Sequence, residues 1–146
     1  MIHIDDLHKR FVVPGTGAFK RKGRREVHAV QGVNLRAESG RITGLLGANG
    51  AGKTTTLRML AGLFPPDAGR ISVDDIDVLQ QPRAALARMG ILGDAHGLYP
   101  RLTARENIAY FGRLQGMDED AANARAESLS QLLDMKAILD RRADGF

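Results

Sequence analysis

Two segments near the start of the chain alternate between apolar and polar positions. They run from Ile2 to Val13 and from Val27 to Leu35. Period two is typical of strands with one buried face, so we expect two strands joined by a loop. The segment Ile71–Val78 predicts a short hairpin around Asp74 and Asp75, because Asp tolerates the backbone conformation of tight turns. The pattern therefore predicts two strands joined by a loop and, later in the chain, a short hairpin.

Two short runs are apolar throughout, Ile42–Leu46 and Met89–Leu92. Continuous apolar runs of this length favour strands that are buried on both faces. Between them, the spacing predicts a helix over Thr55–Phe64 that ends at Pro65, where the proline ring forbids continuation. Its expected inward face is Leu57, Leu60, Ala61 and Phe64.

The second half of the chain predicts helices. A short one runs from Gln81 to about Arg88. Thr103-Ala104-Arg105-Glu106 is a capping box, so a helix should begin there, with Ile108, Phe111 and Leu114 on one face. Asp118 is a suitable cap for a further helix over Glu119–Leu133, with Leu129, Leu132 and Leu133 inward. A last short turn is expected over Met135–Arg141.

The stretch Gly47–Thr54 has the spacing G-x-x-x-x-G-K-T between a predicted strand and a predicted helix. Small residues leave the backbone N–H groups free to turn inward, and the helix N-terminus adds partial positive charge. A polyphosphate is the ligand that needs this arrangement; the alternative is a glycine-rich turn that binds nothing. The expected nucleotide contacts are Gly47, Ala48, Asn49, Gly50, Ala51, Gly52, Lys53, Thr54 and Thr55. Lys53 is expected on the β- and γ-phosphates, Thr54 on Mg²⁺ and Thr55 on the α-phosphate.

Composition limits the remaining functions. The 146 residues are ordinary for one globular domain, and the lack of cysteine excludes disulfides and cysteine metal sites. Much of the net charge of +4 lies in the basic loop Lys20–Arg25. A solvated loop is the first interpretation, anionic lipid headgroups the second and nucleic acid the third. No aromatic residues are interleaved to stack on bases, so no nucleic acid partner is expected.

The motifs together resemble the ATP-binding subunit of an ABC transporter, most closely its sodium-exporter (NatA-like) branch. The resemblance rests on Arg41–Leu63, on Pro65–Gly69 and on Gly97–Asn107, and it covers nearly the whole chain. It implies an α/β fold: a P-loop NTPase core of the ABC ATPase type, an N-terminal antiparallel β subdomain and the start of a helical subdomain. The implied division is 1–92 for the β subdomain and phosphate-loop core, and 93–146 for the Q-loop region and helical subdomain.

The resemblance also implies two site residues outside the phosphate loop. Phe11 stands where the family places an aromatic that stacks on adenine; the alternative is an ordinary core aromatic. Asp94 stands where most relatives carry a glutamine that reaches Mg²⁺ and the attacking water. A carboxylate binds a hard cation more strongly than an amide does, directly or through water; the alternative is a loop Asp that caps a turn. Lys53 and Asp94 are the residues expected to contribute to hydrolysis.

After Asp144-Gly145-Phe146 the family pattern would continue into its signature, Walker B and switch histidine, so the sequence resembles an N-terminal fragment. We expect the 146-residue chain to bind Mg·ATP but hardly to hydrolyse it. We also expect it to aggregate on isolation. The resemblance implies a membrane-spanning permease as partner, a homodimer or heterodimer of nucleotide-binding domains, and a cytoplasmic place on the inner face of the membrane. The function implied is ATP-driven export of an ion or small molecule. One alternative is a soluble ABC-type ATPase in regulation or DNA maintenance. A second is a nucleotide-binding fragment without activity, and a third is a small-molecule kinase or GTPase.

Overall fold

The computed structural model describes residues 1–14, 24–93 and 97–144. They divide between two compact units, Met1–Leu92 and Gly93–Phe146, which are treated separately below.

The first unit is built on a four-stranded antiparallel sheet. In chain order its strands are β1 (Ile2–Pro14), β2 (Arg24–Ala37), β3 (Ala68–Val73) and β4 (Ile76–Asp77), arranged as β2-β1-β3-β4. Both predicted β segments are confirmed. The hairpin is confirmed as well: β3 and β4 are joined by two residues with positive φ, Asp74 at 48° and Asp75 at 63°. Two positive φ values suit the twist of a two-residue hairpin.

Two helices accompany the sheet, α1 (Lys53–Leu60) and α2 (Pro82–Leu86). The core lies between α1, α2 and the sheet, and its buried members are Ile4, Leu7, Val30, Met59, Ile71, Val73, Val78 and Ala85. The predicted end of α1 at Pro65 is wrong. Gly62, at φ 68°, ends the helix earlier, because the amides of Gly62 and Leu63 bond back to Met59 and Arg58. The predicted inward face is correct in part: Leu60 and Phe64 pack against the core, but Leu57 is 53% exposed, and the fully buried residues of α1 are Thr56 and Met59.

The two predicted buried strands are wrong as well. In the described part of the chain, neither Ile42–Leu46 nor Met89–Leu92 forms a strand. Ile42, Leu46 and Leu92 are almost fully exposed. A strand of this kind needs hydrogen-bonded neighbours and cover on both faces. The described sheet consists of β2-β1-β3-β4 alone. In the described residues, these two apolar runs therefore have neither paired strands nor cover on both faces.

The second unit contains α3 (Ala104–Leu114), α4 (Glu119–Leu132) and a short 3₁₀ helix, Lys136–Ile138. Both predicted N-caps are confirmed, the capping box at Thr103 and Asp118 at α4. The predicted inward faces are wrong in part. Phe111, Leu114, Leu132 and Leu133 are exposed, and α4 instead buries the small residues Ala122, Ala126 and Ser130, spaced four apart. Small side chains on this stripe let α4 lie close to α3, which it contacts at Gly112.

Candidate nucleotide-binding site

The phosphate loop, Gly47–Thr54, leads directly into α1. Gly50 and Gly52 have φ values of 82° and 86°, in the left-handed region that other residues rarely adopt. Gly52 is also tightly confined, since a Cβ atom there would lie 2.2 Å from the carbonyl oxygen of Ala29 on β2. Glycine at this position therefore serves both the turn and the close approach of the loop to the sheet.

Lys53 folds back over the loop that precedes it. Its Nζ donates hydrogen bonds to the carbonyl oxygens of Gly47, at 2.6 Å, and Ala48, at 2.8 Å. An ammonium group has three donors, so among the described contacts one donor is left for another acceptor. The loop thus holds a positive charge close to its own backbone.

The N-terminus of α1 completes the donor set. Gly52 is the N-cap and provides no side-chain cap, and the first turn contains no acidic residue. The first helical bond runs from the amide of Thr56 to the carbonyl of Gly52. The amides of Lys53, Thr54 and Thr55 come before it and have no partner within the helix. Amides, helix dipole and ammonium all favour an anion, so these residues fit a polyphosphate.

Phe11 lies on β1, paired with Val27 of β2. Val27 is two residues from Ala29, the residue that Gly52 contacts, which is about 7 Å along a strand. The Phe11 ring meets the Phe64 ring edge to face, with centroids 5.8 Å apart, and Phe11 is 37% exposed. The structure therefore brings Phe11 towards the phosphate-loop end of β2 and leaves part of it accessible.

Asp94, the other predicted metal ligand, lies outside the described residues, as does most of the basic loop Lys20–Arg25. Thr54 is exposed at the start of α1. Within the ranges that the structure describes, no group of three or more His, Asp or Glu side chains could hold a metal ion. The predicted roles of Thr54 and Asp94 towards Mg²⁺ remain predictions.

In the motif Gly97–Asn107, the side chains of the last two residues form hydrogen bonds with the backbone of the preceding loop. The side chain of Asn107, 1% exposed, accepts from the amide of Tyr99 and donates to the carbonyls of Tyr99 and Thr103. Glu106 accepts from the amide of Thr103, and this bond holds the pKa of the Glu106 carboxyl below its usual value. The loop before α3 is thus tied to the helix by hydrogen bonds of the Asn107 and Glu106 side chains.

Sequence reasoning missed Ala29 and Thr56. Ala29 acts through its carbonyl oxygen, which no residue pattern reveals. It lies at a register shift between the pairs Lys9–Val30 and Arg10–His28, which leaves it without a paired residue. Thr56 is 2% exposed, and its spacing of three from Met59 is the signal that could have indicated a shared buried face.

Comparison with known proteins identifies the family. Residues 30–145 match the family model described as ABC transporter. The chain belongs to this family, as the motifs predict. It is 43% identical over its full length to the ABC transporter ATP-binding protein NatA of Bacillus subtilis, which supports the NatA-like branch.

Two other relatives carry export or resistance names. The chain is 43% identical over 82% of its length to the daunorubicin resistance ATP-binding protein DrrA3 of Streptomyces coeruleorubidus. It is 44% identical over 79% to the Nod factor export ATP-binding protein I of Burkholderia lata. The chain spans 56%, 37% and 36% of the lengths of NatA, DrrA3 and the Nod factor protein.

Solved structures agree on the fold. An ATP-binding subunit of an ABC transporter superposes with a TM-score of 0.73 at 22% identity, over 99% of this chain and 55% of that one. The dimeric structure of MJ0796, a bacterial ABC transporter cassette, gives 0.75 at 22% identity, over 97% and 61%. The predicted fold class is therefore confirmed. No helix in the described ranges has the length and apolar character to cross a membrane.

Proposed function

We propose that this chain binds Mg·ATP through the phosphate loop. Lys53 donates to the β- and γ-phosphate oxygens, and the backbone amides at the start of α1 hold the oxygens nearest the helix. Thr54 supplies a hydroxyl to Mg²⁺, with Asp94 as a further ligand, and Thr55 bonds the α-phosphate. Bound magnesium would neutralise part of the phosphate charge. The observation that carries this proposal is the ammonium of Lys53, the first residue of α1, held on two carbonyls of the preceding loop at a helix N-terminus that has no side-chain cap.

The adenine base stacks on Phe11 in this proposal. The accessible part of the ring and the short distance from Val27 to the loop contact at Ala29 support that role. Stacking on an aromatic ring tolerates Phe as well as Tyr. The proposed contacts therefore span both ends of the nucleotide.

We further propose that the protein is the nucleotide-binding subunit of an ABC exporter for an ion or small molecule. Its partners would be a membrane-spanning permease and a second nucleotide-binding domain, on the cytoplasmic face of the membrane. The names of NatA, DrrA3 and the Nod factor protein support this assignment, and the dimeric MJ0796 structure supports pairing. Family membership disfavours the kinase and GTPase alternative.

Calorimetric titration of the chain with Mg·ATP tests the proposal. Lys53→Ala should weaken binding by about tenfold or more, because a charge-assisted bond to phosphate is lost. Arg58→Ala is the matched control: it removes the same charge from the last turn of the same helix, away from the loop. Equal affinity for the original chain and Lys53→Ala would refute the proposed role of the loop.

A further inference from the structure

The side chain of Lys9 lies between β1 and the segment that follows α1. Its Nζ donates to the carbonyl oxygen of Pro65 at 2.8 Å and to Asp67 Oδ1 at 3.0 Å. The same ammonium lies 5.8 Å from the centroid of the Phe11 ring and 5.7 Å from that of Phe64. Both distances are within the range of cation–π attraction. With the side chain only 13% exposed, Lys9 is a packed residue rather than a solvated charge.

Asp67 binds β1 on both sides of Lys9. Its amide donates to the carbonyl of His8 at 2.9 Å, and its Oδ2 accepts from the amide of Arg10 at 2.6 Å. The bond from the Arg10 amide, with help from Lys9, holds the pKa of the Asp67 carboxyl below its usual value. Asp67 is therefore ionised at neutral pH, and the pair is a charged one.

Phe11 needs such support because of its position on β1. The pairing of β1 with β3 ends at His8 and Ala68, whereas pairing with β2 continues to Pro14. Phe11 thus lies where β1 has one strand neighbour among the described residues, and a two-stranded ribbon is marginal by itself. The ring contacts that the structure describes for Phe11 are with Phe64, which packs against the core, and with the ammonium of Lys9, which lies within cation–π distance of both rings.

We propose that Lys9 and Asp67 are positioning residues that hold the Phe11 ring in the orientation required for stacking on the base of the nucleotide. The inference rests on the proposed function and deepens it by assigning the base-stacking end of the site. Lys9 fixes the ring through its charge, and Asp67 fixes Lys9. Neither residue touches the nucleotide.

The test compares two probes, Mg·ATP and magnesium tripolyphosphate, which has the phosphates but no base. Phe11→Ala should weaken ATP binding by about fivefold or more and leave tripolyphosphate within about twofold, as loss of base stacking requires. Lys9→Met should show the same selectivity, with about a threefold or larger loss for ATP alone. Lys9→Arg keeps a cation that reaches Asp67 and should restore ATP binding.

Three further variants separate positioning from general effects. Arg10→Met is the matched control: it removes one charge from the next residue, whose 55% exposed side chain pairs only loosely with Glu26 at 3.7 Å, and it should leave the ratio of the two affinities unchanged. The double variant Lys9→Met with Phe11→Ala should bind ATP no more weakly than Phe11→Ala alone, because Lys9 acts through Phe11. Asp67→Asn should give a smaller ATP-selective loss, and it serves as the test if Lys9→Met does not fold.

The inference is overturned if Lys9→Met and Asp67→Asn weaken both probes equally, or if they leave both unchanged. Additive losses in the double variant would also overturn it. Failure of the proposed function has a different signature: Lys53→Ala would then bind both probes as well as the original chain does.

Discussion

At the scale of single residues, Gly50 and Gly52 show two separate demands on glycine in one loop. Both have positive φ, but a Cβ at Gly50 meets nothing within 4 Å, whereas one at Gly52 would lie 2.2 Å from the Ala29 oxygen. Gly50→Ala should therefore cost about 1 kcal/mol of unfolding free energy, from the backbone alone. Gly52→Ala must also move the loop or β2, so we expect a loss of about 3 kcal/mol and weaker nucleotide binding.

Urea unfolding of the two glycine variants measures this difference, with Gly50→Ala as the control for backbone strain. Similar losses would mean that the contact with Ala29 yields easily. The spacing of the motif predicts a glycine at position 52. The neighbour that excludes a larger residue is the carbonyl oxygen of Ala29 on β2, and no sequence pattern identifies it.

The hairpin turn at Asp74 and Asp75 offers a second residue-scale prediction. Asp75 has φ 63°, a conformation that glycine adopts without steric cost. Asp75→Gly should raise the free energy of unfolding by up to about 1 kcal/mol, whereas Asp75→Ala should lower it. Asp75→Asn should lie close to the original chain, because Asn also tolerates this backbone. Thermal unfolding of the three variants gives the order, and destabilisation by Gly would contradict it.

At the scale of elements, the start of α3 depends on a reciprocal cap. Thr103 Oγ1 accepts from the amide of Glu106 at 3.1 Å, and Glu106 Oε2 accepts from the amide of Thr103 at 2.7 Å. Thr103→Ala should destabilise the helical unit by about 1 kcal/mol, since an amide of the first turn loses its acceptor. Thr103→Ser keeps the hydroxyl and is the matched control. Hydrogen exchange at the first-turn amides of α3 provides the readout, and equal protection in the Ala and Ser variants would count against the cap.

The success of sequence reasoning varied with how local the determinant of each element is. Caps and turns depend on a few neighbouring residues, so Thr103, Asp118 and the Asp74–Asp75 turn were predicted correctly. The end of α1 was missed because Gly62 closes the helix before Pro65 is reached. The prediction of buried strands at Ile42–Leu46 and Met89–Leu92 was wrong for a different reason. An apolar run indicates that a segment favours burial, but it does not identify the neighbouring strands that would bury it.

At the scale of the whole molecule, exposed apolar segments should make the chain associate. Ile42 and Leu92 are 104% and 100% exposed, so their replacement removes no packing. The double variant Ile42→Lys with Leu92→Lys should reduce concentration-dependent association in sedimentation velocity, with little change in the melting temperature. Gln31→Lys, at an exposed polar position, is the control for added charge. A clearly lower melting temperature in the double variant would show that the two side chains are packed in solution.

Carboxylates in both units should contribute to the pH dependence of stability. Hydrogen bonds hold the pKa values of Asp67 in the first unit, and of Glu106 and Asp140 in the second, below their usual values of 3.8 for Asp and 4.5 for Glu. The cause at Asp140 is the guanidinium of Arg105, which donates to it at 2.7 Å. A lowered folded pKa means that the unfolded chain binds protons first. The stabilisation is therefore complete above the usual values, decreases as the pH falls below them, and is lost as the pH falls through the lowered folded pKa values.

Urea unfolding between pH 7 and pH 3 should accordingly show a nearly constant free energy at the upper end and a decline below about pH 4.5. Asp67→Asn and Asp140→Asn should each lower stability at pH 7 and flatten the decline, because the titrating group has been removed. Asp134→Asn is the control, an exposed carboxylate for which no such hydrogen bond is described. If Asp67→Asn and Asp140→Asn retained the full decline, other groups would be responsible, and the ion pairs Lys9–Asp67 and Arg105–Asp140 would not contribute to acid sensitivity.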